Sequence, residues 1–353
     1  MNSEIPKVSI VILNWHGWKD TMECLESLYQ ITYPNYDIVV VDNGSEDESI
    51  EKIKEYCEGK INVKSKFFEY SRENKPIKII EHTREKVEAG GGKEKEIADL
   101  PSNRKLIIIK NERNYGFAEG NNIGMRYALK ALNPDYILLL NNDTVVDNAF
   151  LGELVNVAKS YKKMVFAGPK TYYYDFNGRT DVISFAGGKF NMWKGQPYHI
   201  GVNQIDKGQY DEIGEEDYVE GSCLLVRKEL IKNIGLLNSS YFAYWEESDW
   251  CLRGSKTGYK SVYVPKAMIW HKNVAPLRDA VSISYTHIYY FTRNNFLFMS
   301  QHATKIQIFS FLLYFFGFQF WLTSSIFVIY HRDVKSFISF FKGVINGLGK
   351  MIH

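Results

Sequence analysis

Four short apolar runs, each followed by a polar cluster, constrain this chain more than any other feature. Val8–Asn14 (VSIVILN), Asp37–Asp42 (DIVVVD), Leu106–Lys110 (LIIIK) and Tyr136–Leu140 (YILLL) have strand length and are apolar at consecutive positions. Both faces of such strands must be buried. Helical segments are expected between them, near Lys19–Gln30 and Glu48–Tyr56. Together they predict an α/β fold: a Rossmann-like, mainly parallel sheet with helices on both faces. Ligands of such sheets bind beyond the carboxyl ends of the strands, so the polar clusters are where chemistry is expected.

The rhythm breaks twice. Residues 57–105 include a charged, glycine-rich stretch, Glu88–Glu96, and read as an exposed, mobile insertion within a body spanning 1–300. The GGGK in it is no phosphate loop, because Val87 stands where the upstream Gly belongs and Glu94 replaces Ser/Thr. The second break is the tail, 301–353. Ile306–Tyr330 is 25 residues without a charge, and as a helix would be about 37 Å long, enough to cross a bilayer core. Lys335–Lys350 then mixes Phe337, Ile338, Phe340, Phe341, Val344, Ile345 and Leu348 with lysines, as in segments that lie on anionic membranes. A membrane-associated tail is the expectation, with a span, an interfacial pair or a core helix all open.

Charge and cysteine usage narrow the class. Residues 301–353 carry a local +4, leaving −2 on the other 300 residues, so a nucleic-acid partner is not expected. Cys24, Cys57, Cys223 and Cys251 stand far apart with no CxxC, which speaks against a thiolate zinc site or a disulfide framework and for a reducing compartment. No apolar run follows a basic patch at the N-terminus, so no secretory signal is expected and the body should stay cytoplasmic.

The polar clusters carry the candidate chemistry. Asp42-Asn43-Gly44-Ser45 is either an Asx turn entering a helix or a carboxylate placed to meet a base or ribose. In Asn111–Gly124 (NERNYGFAEGNNIG) the glycines permit close approach, and Asn114, Asn121 and Asn122 offer amides; it lacks the dinucleotide fingerprint. Asp143, emerging from a buried strand in Asn141-Asn142-Asp143-Thr144, suits a hard divalent cation shared with diphosphate oxygens. The densest cluster is Trp245–Arg253 (WEESDWCLR). Three acids there would suit a helix N-terminus, and acids among aromatics would have raised pKa values suited to a general base. His271, in Ile269-Trp270-His271, is a structural residue or a neutral metal ligand.

The order of these motifs resembles the family 2 glycosyltransferases of the GT-A fold, in particular the rhamnosyl- and galactofuranosyltransferase-like group. VSIVILNW, VVVDNGSEDES, NERNYGFAEGNN, LLLNNDT, GSCLLVRKE, WEESDWCLR and IWHK follow one another over about residues 6–300. The resemblance implies a GT-A domain over 1–300 and inverting transfer, an acceptor hydroxyl attacking the anomeric carbon in one displacement. It implies nucleotide contacts from Asp42 and Asn14, and extends that group to Asn114, Gly116, Asn121 and Asn142. Asn141-Asn142-Asp143 falls on the family's DxD position, leaving Asp143 as the acidic metal ligand, with His271 completing a Mg2+ or Mn2+ site. Glu247 falls on the base position, where the family more often has Asp, so Glu246 or Asp249 could share its work. Gly221 and Ser222, with Trp245 and Trp250, are placed near the acceptor.

The function expected is transfer of a sugar from a UDP- or dTDP-type donor to a lipid-linked glycan or cell-surface polysaccharide, on the cytoplasmic face of the cell membrane. Two other classes stay open. A sugar-phosphate nucleotidyltransferase would carry a Gly-rich loop after the first strand, where Asn14-Trp15-His16-Gly17-Trp18 stands instead. A non-catalytic membrane protein that binds sugar nucleotides would give Glu246, Glu247 and Asp249 no reason to gather with Asp143 and His271.

Overall fold

The four apolar runs form strands of one sheet, and a fifth strand joins them from the expected insertion. The structure, a computed structural model, describes residues 5–272 and 284–352. β1 (Val8–Asn14), β2 (Tyr36–Asp42), β3 (Lys78–Thr83), β4 (Lys105–Lys110) and β5 (Tyr136–Asn141) run parallel in the order β3-β4-β2-β1-β5. Alternate residues of each strand enter opposite cores. On β2, Ile38 and Val40 meet one face while Val39 and Val41 meet the other. The first core is closed by α1 (Trp18–Leu28), α2 (Ser49–Cys57) and α5 (Phe150–Ser160), the second by α4 (Gly116–Tyr127), α6 (Lys228–Ile234) and α7 (Glu246–Lys256). Each buried Val, Leu or Ile contributes about 1.5–3 kcal/mol, which explains why Ser9 of β1 is the one polar interruption inside these runs.

Beyond β5 the sheet turns mixed. After β6 (Thr144–Val146) come β7 (Met164–Tyr173), β8 (Val182–Phe185), the separate hairpin β9 (Gly188–Asn191) and β10 (Gln196–His199), β11 (Gln204–Ile205), β12 (Gly214–Glu216), β13 (Cys223–Arg227) and β14 (Lys260–His271). β13 lies antiparallel between β5 and β7, and β14 runs parallel to β7. The end of β14 pairs antiparallel with β6, setting His271 opposite Thr144, one residue past Asp143. That register, unseen in the sequence, assembles the site.

The 57–105 stretch differs from the exposed insertion expected. It supplies edge strand β3 and α3 (Arg84–Ala89), and buries Val63, Ile77, Ile80, Val87 and Ile97. Lys75 is buried with Glu26 at 3.0 Å. Its apolar residues are too widely spaced among charges to read as a strand. The tail also differs from a separate appendage. α8 (Tyr285–His302) packs against α10 (Val334–Ile352), and Phe296, Phe298, Phe340 and Val344 share a core with Tyr241 and Trp245 of the body. Between them α9 (Lys305–Tyr330) is one continuous helix through Gly317; Phe311 and Phe315 are buried, whereas Ile306, Phe309, Leu313, Trp321, Ile329 and Tyr330 are exposed.

Candidate active site

The carboxyl ends of β1, β2, β4, β5 and β14 lie along one edge of the sheet. Asn14 and Asp42 are register partners there. The Asn14 amide donates to Asp42 Oδ1 at 2.7 Å and Ser45 Oγ at 3.3 Å, and its Oδ1 accepts from Thr21 of α1 at 2.8 Å. The Ser45 backbone N–H donates to Asp42 Oδ2 at 3.1 Å. Asn142 joins this network from β5, donating to Thr21 Oγ1 at 3.0 Å and Gly17 O at 3.3 Å. Both carboxylate oxygens of Asp42 are thus fixed before any ligand arrives.

The other expected nucleotide residues sit differently. Asn114 Oδ1 accepts from the Asn43 amide at 2.9 Å and the Gly116 N–H at 2.8 Å, tying the ends of β2 and β4. Gly116, at φ +82°, abuts Phe242, where a Cβ would come within 2.6 Å of its carbonyl. Asn121 is buried in α4 and donates to Phe117 O of its own helix, so it faces no nucleotide. Asn122 bonds Leu237 in the core. Gly120 and Gly124 let α4 lie on β1, their missing Cβ atoms replaced by Leu13 and Val11. Close approach is real in this motif, but it is between helix and sheet.

Past β5, the Asp143 carboxylate lies 3.1 Å from His271 Nε2. Burial opposes charge on both groups; their mutual attraction prevails, holding Asp143 below the usual carboxylate range and His271 up at about 9. Lys272 braces the strand end, pairing with Asp20 of α1 at 2.6 Å. A carboxylate oxygen and an imidazole nitrogen 3.1 Å apart are the donor types that would hold a divalent cation such as Mg2+ or Mn2+. His271 Nδ1 is buried without a hydrogen bond and faces Glu220 Oε1 at 4.0 Å, the outer carboxylate that orients metal-bound imidazoles. Among the described residues no third His, Cys, Asp or Glu joins this pair as a further metal-ligating group.

Glu220 was missed in the sequence, although it stands directly before Gly221-Ser222. Ser222 donates to its Oε2 at 2.9 Å, so Ser222 orients Glu220. Gly221 underlies Glu247, whose Cγ would be 3.4 Å from a Cβ at that position. Glu247, half-buried, makes no hydrogen bond to another side chain in the described structure, and its carboxylate faces the backbone N–H groups of its own residue and of Ser248. Burial, then the charge of Glu220, raises its pKa to about 7. Glu246 is more deeply buried, with Oε2 unpaired, and burial followed by the charge of Glu247 pushes it well above the carboxylate range. Asp249 is engaged instead: Arg253 donates to one oxygen at 2.8 Å and His302 to the other at 2.7 Å. It braces the helix and has no free oxygen to act as base.

The two tryptophans offer nothing to an acceptor. Trp250 is fully buried against Phe166 and donates to Gly235 O, while Trp245 is packed by Phe298 and Phe291 and donates to Phe291 O. Their spacing across one helical turn reads equally as a lined pocket or as core. The chain reaches α7 through Phe242, Tyr244 and Trp245 at φ of +64°, +69° and +77°, a left-handed run that costs non-glycine residues about 1 kcal/mol each.

This sheet, with an acid at the end of its central strand and a carboxylate-bearing helix beside it, is the GT-A fold of the glycosyltransferases. Over 99% of this chain and 88% of that one it superposes on mannosyltransferase PcManGT of Pyrobaculum calidifontis, solved with GDP-Man and Mn2+, at a TM-score of 0.51 and 11% identity, a likeness of fold. The profile "Glycosyltransferase like family 2" matches residues 94–284, and "Glycosyl transferase family 2" matches 9–88. The chain belongs to family 2 of the glycosyltransferases. It is 26% identical over 161 residues, 46% of this chain, to the low-salt glycan biosynthesis hexosyltransferase Agl10 of Haloferax volcanii. It is also 41% identical over 66 residues, 18% of this chain, to an N-acetylglucosaminyl-diphospho-decaprenol L-rhamnosyltransferase of Mycobacterium tuberculosis. The matches span 50% and 22% of those relatives.

Proposed function

We propose that this glycosyltransferase moves a sugar, with inversion, from a UDP- or dTDP-type donor to a hydroxyl of a lipid-linked glycan or cell-surface polysaccharide. The observation that carries this reading is Glu247: a half-buried carboxylate that no other side chain claims, its pKa raised to about 7 by desolvation and the charge of Glu220, beside the Glu220–His271–Asp143 line. A sugar hydroxyl is far too weak an acid to ionise at neutral pH, and a carboxylate with raised pKa accepts its proton as the bond to the anomeric carbon forms. The bond from that carbon to the diphosphate oxygen breaks in the same displacement, and the nucleoside diphosphate leaves. Asp42, fixed by Asn14 and Ser45, positions the nucleotide. Mg2+ or Mn2+ held by Asp143 and His271 would neutralise the charge of the leaving diphosphate. The exposed apolar face of α9 supports a membrane location, on the cytoplasmic side where nucleotide sugars reside, and the decaprenol-linked acceptor named for the mycobacterial relative agrees with it.

The test is a panel of UDP- and dTDP-sugars assayed for released nucleoside diphosphate with Mn2+, Mg2+ or excess chelator. One donor class should be turned over, with a divalent cation required, and the activity should vanish in Glu247→Gln. Full turnover in chelator would refute the metal, and full turnover by Glu247→Gln would refute the base.

A further inference from the structure

The segment that delivers Glu247 is held from outside the catalytic body. Residues 241–245 enter α7 through three non-glycine residues at positive φ, a conformation that persists only when its surroundings enforce it. The enforcing contacts come from α8. Asn294, fully buried, directs its amide at three carbonyls of the segment: Tyr241 at 2.8 Å, Ala243 at 2.7 Å and Tyr244 at 2.9 Å. Arg293 donates to Ser240 O and Tyr241 O, each at 2.8 Å, and to Asn294 Oδ1, which fixes the amide's orientation. One turn earlier the Phe291 carbonyl accepts from Trp245, and at the end of α8 His302 holds Asp249. α8 is itself backed by α10. Gly343 and Gly347 face it one turn apart, where Cβ atoms would meet Tyr289 O at 2.8 Å and the Phe296 ring at 2.7 Å.

We infer that Asn294, with Arg293, is a positioning residue for the catalytic base, and that the α8–α10 pair is a working part of the active site. The inference rests on Glu247 being the base. Loss of the Asn294 amide leaves the Ala243 and Tyr244 carbonyls to find new partners, with Arg293 still on Tyr241 O; the segment relaxes from its positive-φ conformation, and Glu247 leaves its place over Gly221. The nucleotide network of Asn14, Asp42 and Ser45 touches none of these residues.

The experiment compares wild type, Asn294→Ala and Glu247→Gln in the full chain. It reads donor turnover with UDP- and dTDP-sugars, donor KM, melting temperature with UDP and Mn2+, and the acid limb of the kcat profile. The groups facing Glu247 are Glu220, Glu246, Tyr218, Tyr241 and Cys251, all unchanged in these variants. Asn294→Ala should lose about 10- to 100-fold in kcat with KM within about twofold of wild type, and its acid limb should move to lower pH as Glu247 meets water. Wild-type kcat and an unmoved limb in Asn294→Ala, with Glu247→Gln inactive, overturns the inference while leaving the base in place. An active Glu247→Gln overturns the base instead. If Asn294→Ala does not fold, Arg293→Ala takes its place. It should show the same split at about 3- to 10-fold, and wild-type behaviour there overturns the inference.

Discussion

The two halves of the cleft are built on opposite principles. On the β1–β2 side Asn14, Thr21, Ser45, Asp42 and Asn142 satisfy one another, so the polar surface proposed for the nucleotide is fixed by the fold itself. On the β5–β14–α7 side polar atoms are left wanting: His271 Nδ1, Asn141 Oδ1 and Glu246 Oε2 are buried and unpaired, and no other side chain claims the Glu247 carboxylate. Unpaired buried groups cost about 1–3 kcal/mol each, so this half stores instability that substrate and cation can relieve. On the function proposed above, one half would recognise by preorganised geometry and the other would react through groups that are not fully paired.

The sharpest way to break this comparison is to exchange kinetic signatures. Glu247→Gln should lower kcat by about 10²–10⁴-fold with donor affinity nearly unchanged. Asp42→Asn should raise donor KM by about tenfold with a smaller change in kcat, the cost of one charge-assisted hydrogen bond. Steady-state kinetics with isothermal titration of the donor nucleotide separates the two. If Glu247→Gln weakens donor binding as much as turnover, the halves are not distinct. Asp143→Ala should fall between, abolishing the stimulation by Mn2+ and losing about 10²-fold in kcat/KM.

A smaller effect is the pH profile. Turnover should fall below about pH 7 as Glu247 takes up its proton, because burial and the charge of Glu220 hold its pKa there. Glu220→Gln removes the second cause and should move that limb to lower pH, an outcome the nucleotide half offers no means to produce. Stability runs the other way. A carboxyl whose folded pKa is raised favours the fold below its unfolded value, near 4.3, and loses that contribution as pH rises through about 7. Glu247→Gln should therefore be more stable than wild type at pH 8, by at most about 4 kcal/mol, in chemical denaturation. Asp249→Asn should instead lose about 2–4 kcal/mol, since Arg253 and His302 would face a neutral amide, while keeping the acid limb near 7.

These contrasts also explain what the sequence disclosed. The buried strands were legible because a strand covered on both faces tolerates little polar interruption, Ser9 of β1 being the exception, and the residues proposed for the site, Asn14, Asp42, Asp143, Glu247 and His271, stood out because they end such strands or crowd one helix. The division of labour among acids was not. Glu246, Glu247 and Asp249 differ by which neighbour claims an oxygen, and His302, which claims Asp249, lies 53 residues away. Trp245, Trp250 and Asn121 carry the right chemistry for a site and are spent on packing. Glu220 depends on the pairing of β14 with β6 and on a turn before β13, which no local pattern records. The edge strand in 57–105 was hidden because only one of its faces is buried.

The smallest effect on chemistry is expected in α9, and it sharpens a second contrast, between helices that serve the site and one that does not. α8 holds the base segment and α10 backs α8, so deleting 303–353 would strip Phe340 and Val344 from α8 and damage the site along with any anchor. Point changes are the cleaner probe. Phe309 and Trp321 are 64% and 65% exposed, and such surface substitutions normally alter stability by less than about 0.5 kcal/mol. Each aromatic entering lipid contributes about 2 kcal/mol, and the nearby Lys305, Arg332 and Lys335 add about 1 kcal/mol apiece at an anionic surface. Phe309→Ser with Trp321→Ser should therefore release the protein from anionic phospholipid vesicles in a flotation assay. Donor turnover in detergent should stay within about twofold of wild type. Loss of turnover in step with vesicle binding would mean that α9, like α8, holds the base in place.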